Sequence, residues 1–180
     1  MGLVEELRAL QNAVAGARPS TAEAKTAADL LARATALLDT VRTDEGGQLS
    51  GRLVDVPGRA QALIPALHYD RHEPDHVSGT VTFGRFYLGG GGAVHGGGLP
   101  LLFDEILGRL AGNGGRARSR TAYLHVNFRK ITPLDRELRF TGSVDRTEGR
   151  KLFLSGTLTD GADVLADADG LFVYLRPGQP

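Results

Sequence analysis

The thirteen residues Leu99–Ala111 (LPLLFDEILGRLA) are apolar nearly all round. A helix with that pattern cannot rest on a surface and needs cover on most sides. Pro100 suits its first turn, and Gly112–Gly115 closes it. The chain beyond Gly115 reads as strands. Ala122, Leu124, Val126 and Phe128 alternate with Tyr123, His125, Asn127 and Arg129, and Leu138, Phe140 and Val144 alternate with Arg139, Thr141 and Ser143. Leu152, Leu154 and Leu158 share a face in the next run, and Val164–Leu175 forms the last. Glu148-Gly149 and Asp160-Gly161 carry the turn chemistry of hairpins between these runs. Thr80–Leu88, rich in β-formers, predicts one strand before the helix. A curved antiparallel sheet wrapped around one buried helix is the economical way to cover these faces, which predicts an α+β fold.

The rest of the chain is organised around that unit. Residues 1–47 read as a helical extension. Leu3, Val4, Leu7, Leu10 and Val14 recur at helical spacing, and Gly16 and Pro19 end the run. Ser20 and Glu23 fit a capping box opening a second helix, whose stripe is Leu30, Leu31, Ala34, Leu37, Leu38 and Val41. Both helices are expected to pack on a larger body or on a partner chain. Residues 48–77 carry Pro57, Pro65 and Pro74 and no clean alternation; they read as an irregular covering segment with one short strand near Leu53–Val56. Residues 78–176 form the sheet-and-helix domain.

Composition narrows the function classes. Lys plus Arg and Asp plus Glu both number 21, so there is no basic surplus of the kind a nucleic-acid binder carries. The chain has no cysteine, which excludes disulfides, thiolate metal sites and a cysteine nucleophile. No apolar run is long enough to span a membrane, and the first residues, with Glu5 and Glu6, lack the form of a signal peptide. A cytoplasmic location is the expectation.

The chemistry concentrates in GGGGAVHGGGLPLLFDE (Gly89–Glu105). Glycines before a helix let backbone N–H groups approach a ligand, and the first amides of a helix lie at the positive end of its dipole. Gly96 or Gly97 can therefore hold the oxygen of an ester or thioester carbonyl as it becomes negative. Asp104 sits among Leu101, Leu102, Phe103, Ile106 and Leu107, where burial of a carboxylate is costly unless it is hydrogen-bonded or useful. Glu105 points about 100° away and is not its working partner. Gly96 and Asp104 are eight residues apart, about 12 Å in a continuous helix. One chain's Asp104 cannot readily reach a carbonyl held at its own Gly96, which points to a homodimer with sites at the interface.

His95-Gly96-Gly97, six further residues and then Asp104 resemble the active-site segment of the PaaI-type, THEM4-like hotdog-fold acyl-CoA thioesterases. The resemblance runs through TAYLHVNFRKITPL (Thr121–Leu134), the EGRK turn (Glu148–Lys151) and LADADGLFVYL (Leu165–Leu175), covering roughly residues 79–175. It implies a hotdog fold with an N-terminal helical extension. It implies thioester hydrolysis by a homodimer or dimer of dimers, with acyl-CoA as substrate and with neither metal nor cofactor. In that reading the Gly96 amide polarises the carbonyl, and Asp104 of the neighbouring subunit is general base or nucleophile. His95 and Gly97 position the thioester, and Thr121 stands near the carboxylate. Arg129, Lys130 and Ile131, with Arg150 and Lys151, contact the phosphates and pantetheine of CoA. One position departs: many relatives carry a polar residue, often Asn, six places before the histidine, where this chain has Gly89. Either another group orients the water, or the loop is more mobile, or the activity is weak.

Two other patterns lead elsewhere. His72-Glu73-Pro74-Asp75-His76 has the letters of a zinc-protease helix, but Pro74 disfavours the helix that would stack the two histidines. The glycine run lacks the Lys-Ser/Thr of a phosphate loop and does not fit G-x-G-x-x-G. A hydratase or dehydratase acting on 3-hydroxyacyl thioesters, or a non-catalytic acyl-CoA binder, are the rival readings on the same fold.

Overall fold

The structure is a computed structural model and describes residues 2–53 and 56–179, so the strand expected near Leu53–Val56 lies partly outside the described residues. The chain divides into two compact units between Ala62 and Leu63, inside the segment read as a covering layer.

The first unit holds two helices, α1 (Gly2–Gly16) and α2 (Thr21–Asp39). The capping box opens α2 as expected: Glu23 N donates to Ser20 Oγ at 3.3 Å, and Ser20 N donates to Glu23 Oε2 at 2.8 Å. Arg8 ties α1 to the segment around Pro57, its Nη2 donating to the carbonyls of Pro57 (3.0 Å) and Gln61 (2.7 Å). Neither helix buries a residue. No described helix is long and apolar enough to cross a membrane.

The second unit is one six-stranded antiparallel sheet around a central helix. In chain order the elements are β1 (Leu67–His72), β2 (His76–Thr82), β3 (Leu88–Gly90), β4 (Ala93–Val94), α3 (Gly98–Ala111), β5 (Ser119–Phe128), β6 (Glu137–Glu148), β7 (Lys151–Asp160) and β8 (Asp163–Tyr174). The sheet order is β1-β2-β6-β7-β8-β5, and β3 pairs only with β4 in a small separate hairpin. The turns expected at Glu148-Gly149 and Asp160-Gly161 are present, with φ of 57° at Gly149 and 58° at Gly161.

Leu102, Phe103, Ile106, Leu107 and Leu110 of α3 are fully buried against Val77, Val81, Phe140, Leu154 and Phe172 of the sheet. The close fit has a specific source. Gly142 faces Gly156 across β6 and β7, and Gly156 faces Ala168 on β8, so a row of small residues crosses the sheet beneath the helix. A Cβ at Gly142 would stand 3.1 Å from Ile106 Cγ2; at Gly156 it would stand 2.9 Å from the Thr141 carbonyl and 3.3 Å from Phe103 Cδ1. Side chains there would lift α3 off the sheet.

Two sequence expectations fail here. Residues 48–77 are not irregular throughout, because β1 and the start of β2 lie inside them. β1 escapes pattern reading because it is an edge strand with one fully buried side chain, Leu67. The strand expected over Thr80–Leu88 stops at Thr82, because Phe83 turns into the core and Arg85–Tyr87 form a 3₁₀ turn.

Candidate active site

The glycine stretch does two jobs. Gly91 and Gly92, with φ of 58° and 79°, form the two-residue turn between β3 and β4. That turn needs positive φ at both central positions, which side chains resist. The first half of the run is therefore hairpin chemistry, not a ligand cradle. The second half leads into α3. His95 N donates to Tyr87 O (2.7 Å), and Val94 N donates to Thr132 O (2.9 Å), so this approach is pinned on both sides.

His95, Gly96 and Gly97 are all exposed. The Gly97 amide donates to His95 Nδ1 at 3.0 Å, and the Gly98 amide donates to His95 O at 2.8 Å. A histidine accepting at Nδ1 carries its proton on Nε2 when neutral, so Nε2–H is the edge offered outward. The Gly96 N–H has no acceptor among the described residues. It lies one residue ahead of the Gly97 N-cap of α3, beside the positive end of the helix dipole. A Cβ at Gly96 would find only the Phe128 ring, at 3.9 Å. Phe128 is 58% exposed, and the sequence pattern marks it only as one more strand residue.

Gly89 lies directly behind the histidine. A Cβ at that position would stand 2.7 Å from His95 Cα and 3.0 Å from His95 N. Glycine at this position thus has a steric reason in this chain: the backbone of His95 occupies the space a side chain would need.

Asp104 is exposed, and the expectation of a buried carboxylate is overturned. The buried one is Glu105, at 5% exposure. The helix phase accounts for the exchange: Glu105 falls in line with buried Gly98 and Leu102, while Asp104 falls in line with Gly97, Leu101 and Gly108 along the outer face. On that face Thr121 Oγ1, from β5, donates to Asp104 Oδ1 at 2.9 Å.

One chain thus holds the candidate residues in two separate groups. His95, Gly96 and Gly97 meet β5 at Phe128; Asp104 meets the same strand at Thr121. These anchor points are seven residues apart on β5, up to about 23 Å. The basic residues split the same way. Arg129 N and Lys130 N both donate to Leu165 O at the start of β8, whereas Lys151 pairs with Val173 near its end. Eight strand residues, about 26 Å, separate these positions along β8.

Three of these four cations, Arg129, Lys130 and Arg150, are engaged. Arg129 grips Asp167 with Nε at 2.5 Å and Nη2 at 3.3 Å, and Lys130 Nζ donates to Asp163 at 2.6 Å. The Arg129 guanidinium, with help from Asn127, holds the Asp167 carboxyl below its usual range. Arg150 Nη1 donates to the Tyr174 carbonyl at 2.9 Å. Lys151 and Ile131 are exposed, Ile131 at 77%.

The zinc-protease letters form a β-turn region, not a helix. His72 ends β1, His76 starts β2, and Glu73 N donates to His76 O at 2.8 Å. His76 Nδ1 lies 3.1 Å from Ser143 Oγ, and burial, then the Arg109 charge, lowers the His72 pKa.

Residues 91–166 match the family model described as thioesterase superfamily. Acyl-coenzyme A thioesterase THEM4 of Bos taurus is 34% identical over 96 residues, covering 52% of this chain and 39% of that protein. The Mus musculus protein of the same name is 33% identical over 118 residues, covering 64% and 50%. The chain therefore spans half or less of the length of these relatives. The crystal structure of a thioesterase superfamily protein superposes with a TM-score of 0.82 at 28% identity, over 95% of this chain and 88% of that one. A hypothetical thioesterase from Streptococcus pneumoniae TIGR4, solved with coenzyme A, shares the fold at a TM-score of 0.56 and 21% identity, over 59% and 86%. The strand–helix–meander that carries His95-Gly96-Gly97 and Asp104 has the hotdog fold of the thioesterase-superfamily structure it superposes on, and in sequence this part of the chain is similar to the THEM4 proteins.

Proposed function

We propose that this chain hydrolyses an acyl-CoA thioester to a free acid and CoA in sites shared between two copies. The observation that carries this reading is the separation of the two half-sites along β5. The outer edge of β5 has no partner strand among the described residues, and Tyr123 is 46% exposed on that strand. An unpaired ten-residue edge invites a second strand. A two-fold partner places it antiparallel. The Phe128 end of one strand then meets the Thr121 end of the other. Gly96 of one copy faces Asp104 of the second, and Arg129 and Lys130 join Arg150 and Lys151 on one side of the cleft.

In that cleft the Gly96 amide, otherwise without an acceptor, takes the thioester oxygen. Asp104, held by Thr121, removes a proton from water as it adds to the carbonyl carbon, or attacks that carbon itself. The C–S bond breaks and the CoA sulfur leaves with the proton Asp104 took from water; where Asp104 itself attacks, water then opens the acyl–Asp104 anhydride, which frees the acid and supplies the proton the CoA thiolate takes up. His95 Nε2–H and Gly97 orient the thioester. Because Arg129 and Lys130 already hold carboxylates, CoA phosphates displace or share those partners. The THEM4 relatives named for acyl-CoA hydrolysis support the substrate class.

Complementation tests the shared site. Asp104→Ala and Gly96→Pro each lack one half, the second because proline has no N–H. Thiol release from a panel of acyl-CoAs is expected to vanish in each. Co-expression restores about a quarter of wild-type turnover, since half of randomly formed dimers contain one intact site. Gly96→Ala keeps the amide and fits beside Phe128, so it stays active. No recovery in the mixed protein sinks the shared-site reading. Loss of enoyl absorbance without thiol release would replace hydrolysis by hydration.

A further inference from the structure

The first unit has an apolar surface that no described residue of that unit covers. Along α2, Ala24, Ala27, Leu31, Ala34 and Leu38, continued by Val41 in the turn after the helix, recur at alternating steps of three and four. That is the seam of a two-helix coil. All six are exposed, Leu38 at 45% and Val41 at 71%. The charged residues lie off the seam, and Lys25 and Asp29 pair at 2.7 Å on the far side. The N-terminal half of the seam forms one wall of a groove of about 630 Å³, whose other wall is Leu10, Ala13 and Val14 of α1, with Ala17 just beyond the helix.

The order of side-chain sizes along the seam says what fits. If two copies of α2 ran parallel, alanine would face alanine in three layers and leave voids. If they run antiparallel about a two-fold between Ala32 and Arg33, Ala24 faces Val41, Ala27 faces Leu38, and Leu31 faces Ala34. Every layer then joins one small and one large residue, the pattern that fills a helix interface evenly. Leu30 falls beside Leu37 of the second copy on the flank, which covers two more exposed leucines, at 59% and 70%. The same register lays Leu38 and Val41 on Ala24 and Ala27, inside the groove.

We propose that α2 is a self-association surface, occupied by α2 of a second copy of this chain in antiparallel register, with its Leu38 and Val41 seated between α1 and α2 of the first. The occupant is a second copy because the seam is complementary to itself under a two-fold operation, as an isologous contact requires. This interface is separate from the β5 edge and does not rest on the thioesterase reading.

The absence of cysteine makes the register directly testable in the whole chain. Ala27→Cys and Leu38→Cys are both exposed positions, so neither change empties a core. Co-expressed and mildly oxidised, the two variants are expected to give a disulfide-linked dimer on a non-reducing gel, while each alone gives none. Adding Leu31→Glu to both chains abolishes the cross-link, which excludes random collision. Cross-linking of Leu38→Cys by itself means a parallel pairing and overturns the proposal. Absence of cross-linking in every combination also overturns it, leaving the face to the rest of the chain or to another protein. Circular dichroism of each variant, with helix content matching the wild type, keeps a negative gel interpretable.

Discussion

Thr121 Oγ1 donates to Asp104 Oδ1 across 2.9 Å, joining the edge strand of the sheet to the outer face of its central helix. The hydroxyl fixes which carboxylate oxygen is occupied and leaves the other for a proton or a carbon. Asp104→Asn keeps the shape and removes the proposed base or nucleophile. Acyl-CoA turnover is expected to fall by about 10²–10⁴-fold, read as kcat by thiol release. Thr121→Ala frees the carboxylate and lowers kcat by about tenfold, consistent with one hydrogen bond to a charged group. Thr121→Ser retains the donor and most of the rate.

Gly89 has no room for a side chain. Gly89→Asn, which introduces the polar residue that the family resemblance implies there, forces the backbone of His95 to move. Stability is expected to drop by about 1–3 kcal/mol, as for an overpacked site. Thermal unfolding measures it, and an Asn variant as stable as the parent would contradict the clash.

Arg129→Ala and Lys151→Ala remove cations at opposite ends of the domain. Each is expected to raise KM for acyl-CoA with little change in kcat, and the effect shrinks as salt rises. Should only one end matter, the phosphates are held by a single copy.

Asp70 gives a pH signature. Its carboxylate accepts from Ser78 Oγ at 2.6 Å and from Arg139 Nη2 at 2.6 Å, and the Ser78 bond first, then Arg139, lowers its pKa. A folded-state pKa below the unfolded value of about 3.9 contributes stability that is fully present above that pH. It is lost as pH falls through the folded value. The melting temperature of the wild type should therefore fall more steeply below about pH 4 than that of Asp70→Asn. His72 acts higher on the scale. Burial depresses its pKa, so its contribution is complete above about pH 6.5 and declines as acid protonates the unfolded chain first.

The elements legible in the sequence are those with a strong period. The central helix, expected over Leu99–Ala111, spans Gly98–Ala111, and the β6–β7–β8 hairpins follow their alternation and turn residues. LHYDRH defeats the same reading because an edge strand with one fully buried side chain has little pattern to show. The exposure of Asp104 is contained in the helix phase alone, since Leu102, Ile106 and Leu110 already define the buried side. The all-round apolar lettering obscures it. Phe128 beside Gly96, and the row of small residues beneath α3, come from contacts between segments distant in the chain and leave no local trace.

Asp104 owes its position to atoms that never approach a substrate. α3 rests on hydrogen atoms where other strands would carry methyl groups, at Gly142 and Gly156. A single methyl at Gly156 pushes Phe103, one residue from Asp104, and tilts the carboxylate away from Thr121. On the proposed function, drift in the middle of the sheet would thus register first as a fall in turnover, well before the fold itself gave way.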